Sequence, residues 1–343
     1  MKWSSRQYLI AFNMVPGIGG RRLVSIKNHF GSLEEAWNAS REDLMKVEGV
    51  GPQTAERLCS LRPNLSPRAE EAWARSLGAE ILTLSDQEYP AYLRRLVVPP
   101  PVLYVQGTLP ERPGIAVVGT RKPSRIGIAQ ARQFSAYLVS KGIPVVSGLA
   151  RGIDFFAHEQ VVQMGGEAVA VLGSNLGNLY PSEHRVLAKK IAEHGALITE
   201  FSSRCSTLPG NFPRRNRVIA GCASGVLVVQ AGAKSGAIHT ADWALEMGLD
   251  VWAIPGEISD PLRHGTHRLI KQGAALVSDP ADLFEGSEAE VSHLREGTTS
   301  RSSLEELFKA GLHANEIAAA LDRPIREILA EISLCQLQRG PGI

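Results

Sequence analysis

The 343-residue chain has only four cysteines, Cys59, Cys205, Cys222 and Cys335, and none of them forms a CxxC pair. That scatter excludes a disulfide framework and a cysteine-ligated zinc site, and it reads as the reduced thiols of a cytosolic protein. No apolar run approaches the ~20 residues that a membrane span needs. The opening MKWSSRQYLIAFNMVPGIGG has neither the apolar core nor the cleavage site of a signal peptide. A cytoplasmic protein without a membrane partner is the expectation. His264 and His267 stand three apart, but no cysteine or carboxylate spacing completes a ligand set around them, so no metal is expected. The dinucleotide fingerprint G-x-G-x-x-G is missing too. GTRKPSRIG has glycines only at 119 and 127, and the next apolar run ends Ser147-Gly148 with no acid to hold a ribose. A Walker A loop is also lacking, which removes the argument for ATP hydrolysis. No cofactor is expected.

The most informative scarcity is that of carboxylates in two windows. Residues 112–153 hold no Asp or Glu and seven basic groups: Arg112, Arg121, Lys122, Arg125, Arg132, Lys141 and Arg151. Residues 201–241 hold no acid either, with Arg204, Arg214, Arg215, Arg217 and Lys234 as their basic groups. Together the windows carry twelve positive charges in a chain of net charge +2, so the remainder stands at −10. Such segregation is the electrostatic footprint of a polyanion site on an otherwise acidic body.

From about residue 113, short apolar runs alternate with helix-length segments. The runs are IAVVG (115–119), IPVVSG (143–148), EAVAVLG (167–173), ALITEF (196–201), GVLVVQA (225–231) and DVWAIPG (250–256). Uninterrupted apolar strands between helices predict an α/β, extended Rossmann-like, doubly wound and mainly parallel sheet. EILTL and VLYVQG, within 79–107, add extended structure before it. We divide the chain into a helical domain (1–75), the Rossmann-like domain (76–285), a Gly/Ser/Thr/Glu-rich linker (286–300) and a short winged-helix-like module (301–343). In the helical domain, MVPGIGGRRLVSIKNHF and KVEGVGPQTAERL place Gly-x-Gly turns between helices about 32 residues apart. This is the pattern of paired helix-hairpin-helix motifs, and it reads equally as a DNA contact or as a tightly turned helical cap.

In an open α/β sheet, ligands bind at the loops leaving the carboxyl ends of the strands, against helix N-termini. GTRKPSRIG (119–127) contributes Gly119, Arg121 and Ser124. SGLARGID (147–154) contributes Ser147 and Gly148, and AGAKSGAIHTADWA (231–244) contributes Lys234, Ser235 and Gly236 with Thr240 one turn later. The remaining element is GNFPRRNRVIAG (210–221). Pro213 reads as the first helical position, which places Arg214, Arg215, Asn216 and Arg217 in the first turn, where cations oppose the macrodipole unless an anion arrives. At about 100° per residue, Val218, Ile219 and Cys222 form the buried stripe. Arg214 and Arg217 face away from it, so that Arg214 or Arg217 can reach a ligand, and Arg215 lies nearer the sheet as a loop or phosphate anchor. Phe212 either stacks on a base or serves as a buried staple. Asp154 and His158, four apart on one helix face, read as a helix-start cap and a loop anchor rather than an acid–base pair.

GTRKPSRIG, SGLARGIDFFAH, NFPRRNRVIAG, KSGAIHTA and IPG…GTHRLIKQGA, in that order across about 160 residues, resemble the DNA-processing protein A family (DprA, also called Smf). The resemblance implies a recombination mediator of natural transformation. Such a protein binds and protects incoming single-stranded DNA, loads RecA onto it, and performs no catalytic turnover. It maps the DNA pocket onto Arg121, Ser147, Gly148, Phe212, Arg215, Asn216 and Arg217 with Lys234 nearby. A homodimer and RecA-contact surface maps onto Ile270, Leu276 and Val277. The chain departs from the family pattern at Gln230, where the strand end usually reads Val-Glu-Ala. It departs also at Ile126, where Tyr is common, and at Pro209 and Gly210 before the Phe-Pro pair. The alternative is an enzyme like the nucleoside-monophosphate phosphoribohydrolases. Those carry a glutamate three places after the loop threonine, whereas Trp243 follows Thr240 at that spacing here.

Overall fold

The six apolar runs become six neighbouring inner strands, and the computed structural model, which describes residues 3–284, shows how the chain visits them. Six helices come first: α1 (Ser5–Asn13), α2 (Gly20–Phe30), α3 (Leu33–Asn38), α4 (Arg41–Leu44), α5 (Pro52–Leu61) and α6 (Pro67–Ser76). Then follow β1 (Ala79–Thr83), α7 (Ala91–Arg94), β2 (Val102–Gly107), β3 (Gly114–Val118), α8 (Arg125–Ser140), β4 (Val145–Ser147), α9 (Ile153–Gln163) and β5 (Ala168–Val171). The chain continues through α10 (Arg185–His194), β6 (Ala196–Thr199), α11 (Asn211–Gly221), β7 (Ala223–Val228), α12 (Ala237–Glu246), β8 (Asp250–Ala253), α13 (His264–Lys271) and β9 (Ala275–Leu276). The linker at 286–300 and the winged-helix-like module at 301–343 lie outside the described residues.

The nine strands form one sheet in the order β1-β2-β6-β5-β4-β3-β7-β8-β9. All pairs from β6 to β9 are parallel, and β2 joins β6, and β1 joins β2, antiparallel. The strands β3 to β6 bury every residue, as a sheet covered by helices on both faces requires. From β3 the chain winds outward through β4, β5 and β6, then returns to β7 on the other side of β3. Neighbouring β3 and β7 therefore send their helices away in opposite directions. That leaves a crevice at their carboxyl ends, the topological switch point of the sheet.

The helical segment and the sheet pack as one unit spanning Met1–Pro280. Residue 75 therefore marks a change of pattern but not a break in packing. One apolar core joins Phe12, Trp37 and Leu58 of the helices to Ile81 and Tyr104 of β1 and β2. Polar ties add direction. Arg6 pairs with Glu71 and Asp86 and donates to Ile81 O, while buried Glu70 accepts from the Tyr104 hydroxyl at 2.9 Å and from Ser203 N at 2.8 Å. The two glycine hairpins are bridged by Arg22, whose guanidinium donates to Gly49 O at 2.7 Å and to Gly17 O. Arg57 donates to Pro16 O at 3.1 Å. Main-chain carbonyls of both turns are thus held by arginines of the same helical segment.

Candidate nucleic-acid interface

A cavity of about 650 Å³ opens at the switch point. Its walls come from Gly119 to Lys122 after β3, from Phe212, Pro213, Arg215 and Asn216 in α11, and from Gly232, Lys234 to Ala237 and Thr240 around the start of α12. Arg121, Lys122 and Lys234 are exposed there, and none has a carboxylate within ion-pair distance among the described residues. Asp154 is the only acidic lining residue among the described residues, and it is turned inward: its carboxylate accepts from Gly148 N at 3.1 Å and Ala150 N at 3.4 Å. Burial pushes Asp154 above the ordinary carboxylate value, against the opposing pull of Arg215. The accessible wall is therefore positive, with main-chain amides and small residues between the cations, a surface suited to phosphate oxygens.

Helix α11 begins at Asn211, so Pro213 occupies its third position and not its first. Proline is tolerated there because no N–H of the first turn has an intrahelical acceptor. The expected one-sided burial of this helix is also corrected. Arg215, Asn216, Arg217, Val218, Ile219, Ala220 and Gly221 are all buried, because the α7 segment covers the face opposite the sheet. A Cβ at Gly221 would meet Leu93 and Leu96 at 2.8–3.0 Å. Arg217 is 6% exposed and lines no part of the cavity. It donates to Glu200 Oε2 at 2.6 Å and to Val98 O at 2.8 Å. Burial lowers its pKa, and Glu200 resists the change. Arg214 also reaches Glu200 Oε2, at 2.8 Å, and lies over the Phe201 ring at 5.4 Å, again off the cavity wall. The negative partner of these helix-start cations is thus internal. It stands at position 200, one residue before the acid-free window, where a count along the sequence passes it by.

Arg215 is buried under the site. It donates to Gly148 O at 2.6 Å and to Val171 O, joining the loops after β4 and β5. Burial pushes its guanidinium down to about 10, with Asp154 opposing and Arg121 adding to the fall. Gly148 is required at this contact, since a Cβ would sit 2.5 Å from the guanidinium. Asn216 donates to Gly236 O at 3.1 Å and so couples α11 to the start of α12. Phe212 presents its ring 5.4 Å from the Arg121 guanidinium carbon, resting on Gly173, where a Cβ would be 2.6 Å away.

Five other sequence-derived assignments are placed differently by the packing. Ser147 is fully buried at the end of an inner strand and donates to Val117 O at 2.7 Å, which removes it from any ligand. Ser124 caps α8 by accepting from Gly127 N at 3.1 Å. Its hydroxyl also accepts from Gln230 Nε2 at 3.0 Å, and its amide donates to Gln230 Oε1 at 2.9 Å. The departure at Gln230 is therefore satisfied locally, as one amide both gives to and takes from the cap residue. Asp154 anchors the preceding loop and leaves its own helix start uncapped by a side chain. His158 is fully buried without a hydrogen-bond partner of normal geometry among the described residues, so it anchors no loop. On the far edge, Leu276 is 51% exposed and Ile270 is half-buried, whereas Val277 is fully buried with its amide on Ala253 O, so its side chain is withdrawn from any interface.

The profile of the DNA recombination-mediator protein A family matches residues 80–288, and that of a SAM-like helix-hairpin-helix tandem matches residues 9–60. Protein Smf of Synechocystis is 38% identical over 82% of this chain and 72% of its own. DNA processing protein DprA of Bacillus subtilis is 36% identical over 64% of this chain and 74% of its own. The crystal structure of DNA processing protein A from Streptococcus pneumoniae superposes with a TM-score of 0.69 at 28% identity, covering 83% of this chain and 99% of that one. A second, from Helicobacter pylori and described for its single-stranded DNA binding mode, shares the fold with a TM-score of 0.55 at 24% identity over 61% of this chain and 96% of that one. A match that runs through both the helical hairpins and the sheet carrying the basic crevice leaves one conclusion: the chain belongs to the DNA recombination-mediator protein A family.

Proposed function

We propose that this protein binds single-stranded DNA in the switch-point cavity, protects an incoming strand during natural transformation and loads RecA onto it, as a cytoplasmic homodimer without chemical turnover. The observation that carries the reading is that Arg121, Lys122, Lys234 and the Phe212 ring line one cavity, with Arg121 over the ring and the lining carboxylate of Asp154 pinned inward. A flexible strand offers phosphates to the three cations and a base to the ring, a combination that rewards single strands over duplex. Family membership and the fold shared with a protein described as binding single-stranded DNA support the same assignment. The exposed β9 edge, with Leu276 on it and β8 on its other side, supports self-association or a RecA contact.

The test is fluorescence anisotropy with single- and double-stranded oligonucleotides across a salt series. Single strands should bind more tightly, with log affinity falling by ~0.7 per neutralised phosphate against log salt. Equal affinity for duplex, or a slope near zero, overturns the reading. RecA should nucleate faster on single strands in the presence of the protein. Release of free base from nucleoside monophosphates at a catalytic rate would instead support the phosphoribohydrolase-like alternative.

A further inference from the structure

A line of planar side chains leaves the cavity on the side away from α12. The Phe212 ring is 5.4 Å from the Arg121 guanidinium carbon and 5.5 Å from the Tyr180 ring, at an interplanar angle of 58°. The Arg151 guanidinium carbon lies 5.8 Å from the Tyr180 centroid. Cation, ring, ring and cation thus follow one another, and the recess they share with Gly148 holds only about 20 Å³. Nothing as large as a base fits between them, so any base must lie over their solvent-facing sides.

We propose that Tyr180 and Arg151 form a second base-and-phosphate step, which takes the nucleotide next to the one held at Phe212 and Arg121. This deepens the single-stranded-DNA reading and rests on it. Tyr180 stands out because it is 43% exposed, whereas Tyr89, Tyr92 and Tyr104 are buried. Its exposure is not looseness of the loop. Tyr180 N donates to buried Ser174 Oγ at 3.2 Å, Pro181 is buried, and His184 Nδ1 lies 2.9 Å from Leu149 O. Asn175, also buried, donates from Nδ2 to Cys205 O at 3.0 Å. A ring held open on a pinned backbone has already lost the freedom that binding would otherwise remove. Its 5.5 Å spacing from Phe212 exceeds the ~3.4 Å rise of stacked bases, so the two rings suit successive bases that have come apart.

Arg151 brings its own placeholder. Glu183 contacts the guanidinium at 2.6 Å, with both side chains about half exposed. Ion pairs this open are weak, so a phosphate can take the position of the Glu183 carboxylate without displacing anything buried. Glu183 then acts as a competing anion that tunes affinity for the strand.

The experiment measures anisotropy of a short and a long labelled oligothymidylate with the full chain and with Tyr180→Ala, Tyr180→Trp, Glu183→Gln and Phe212→Ala. Tyr180→Ala should weaken the long oligonucleotide about five- to a hundredfold, the range of one lost stacking contact, and leave the short one nearly unchanged. Tyr180→Trp should keep the affinity and add an indole emission that is quenched on binding, which also guards against a folding defect in the alanine variant. Glu183→Gln should tighten binding at low salt. If Phe212→Ala weakens binding while Tyr180→Ala does not, or the added indole emission is unmoved by DNA, the second step is wrong and the first survives. If Phe212→Ala leaves both oligonucleotides unaffected, the underlying single-strand reading fails instead.

Discussion

Arg217 donates to Glu200 Oε2 at 2.6 Å inside the protein, with 8% of the arginine side chain and 1% of the glutamate side chain exposed. An arginine that sequence reasoning aims at DNA is thereby a structural cation that ties α11 to the end of β6. Removal of either partner strands a buried charge, which typically costs about 3–5 kcal/mol. Glu200→Ala should therefore lower stability by about that amount in urea denaturation. Any effect of Arg217→Ala on DNA binding should track the loss of fold. A variant at either position with unchanged stability would remove the ion pair from the account of this helix.

The exposed cations behave in the opposite way. Arg121→Ala and Lys234→Ala touch no buried network, so stability should stay within about 0.5 kcal/mol. Each should weaken single-strand binding and reduce the salt slope by ~0.7, the share of one phosphate. Denaturation curves and salt titrations on the same preparations separate these cations from Arg217.

A pH dependence follows from His158. Burial pushes its imidazole down to about 3, with a smaller opposing influence from the Ser147 main chain. Between about 3 and the ordinary 6.5, the unfolded chain holds a proton at this position that the folded chain does not. Stability therefore rises with pH through that window, and falls as the solution is acidified, by up to about 1.4 kcal/mol per pH unit. Asp154, raised by burial, works in the reverse sense above its ordinary value. The clean measurement is the difference in Tm between the protein and His158→Leu across about pH 4–7. That difference should shrink or reverse as the pH is lowered, and a pH-independent difference refutes the assignment.

Leu276 lies exposed on an edge strand, so Leu276→Asp should leave thermal stability nearly unchanged. If β9 forms the self-association surface, light scattering will report a shift toward monomer. If oligomer mass is unchanged and RecA loading is lost, the edge serves RecA instead.

The sequence by itself determined the architecture and the sheet edge at which the candidate site lies. Uninterrupted apolar runs ending in glycine can be satisfied only as buried strands that open into helix-start loops, and local composition is enough to reveal them. Arg121, Lys234 and the small residues at 235 and 236 were legible for the same reason, since they sit in loops whose exposure follows from the strand pattern, and Phe212 stands at the start of the helix that such a loop enters. Tertiary structure decided which arginine does what. Rotation about a helix axis predicts one buried face, but the α7 segment, more than a hundred residues earlier, covers the other. Glu200 then supplies the internal charge that makes burial of Arg217 tolerable. Ser147, Ser124 and Val277 were drawn inward likewise by partners distant in the chain or by the sheet itself. Charge is written along the sequence, but its availability depends on long-range packing, because a guanidinium is available to a polyanion only where no buried carboxylate or carbonyl of the same chain holds it first.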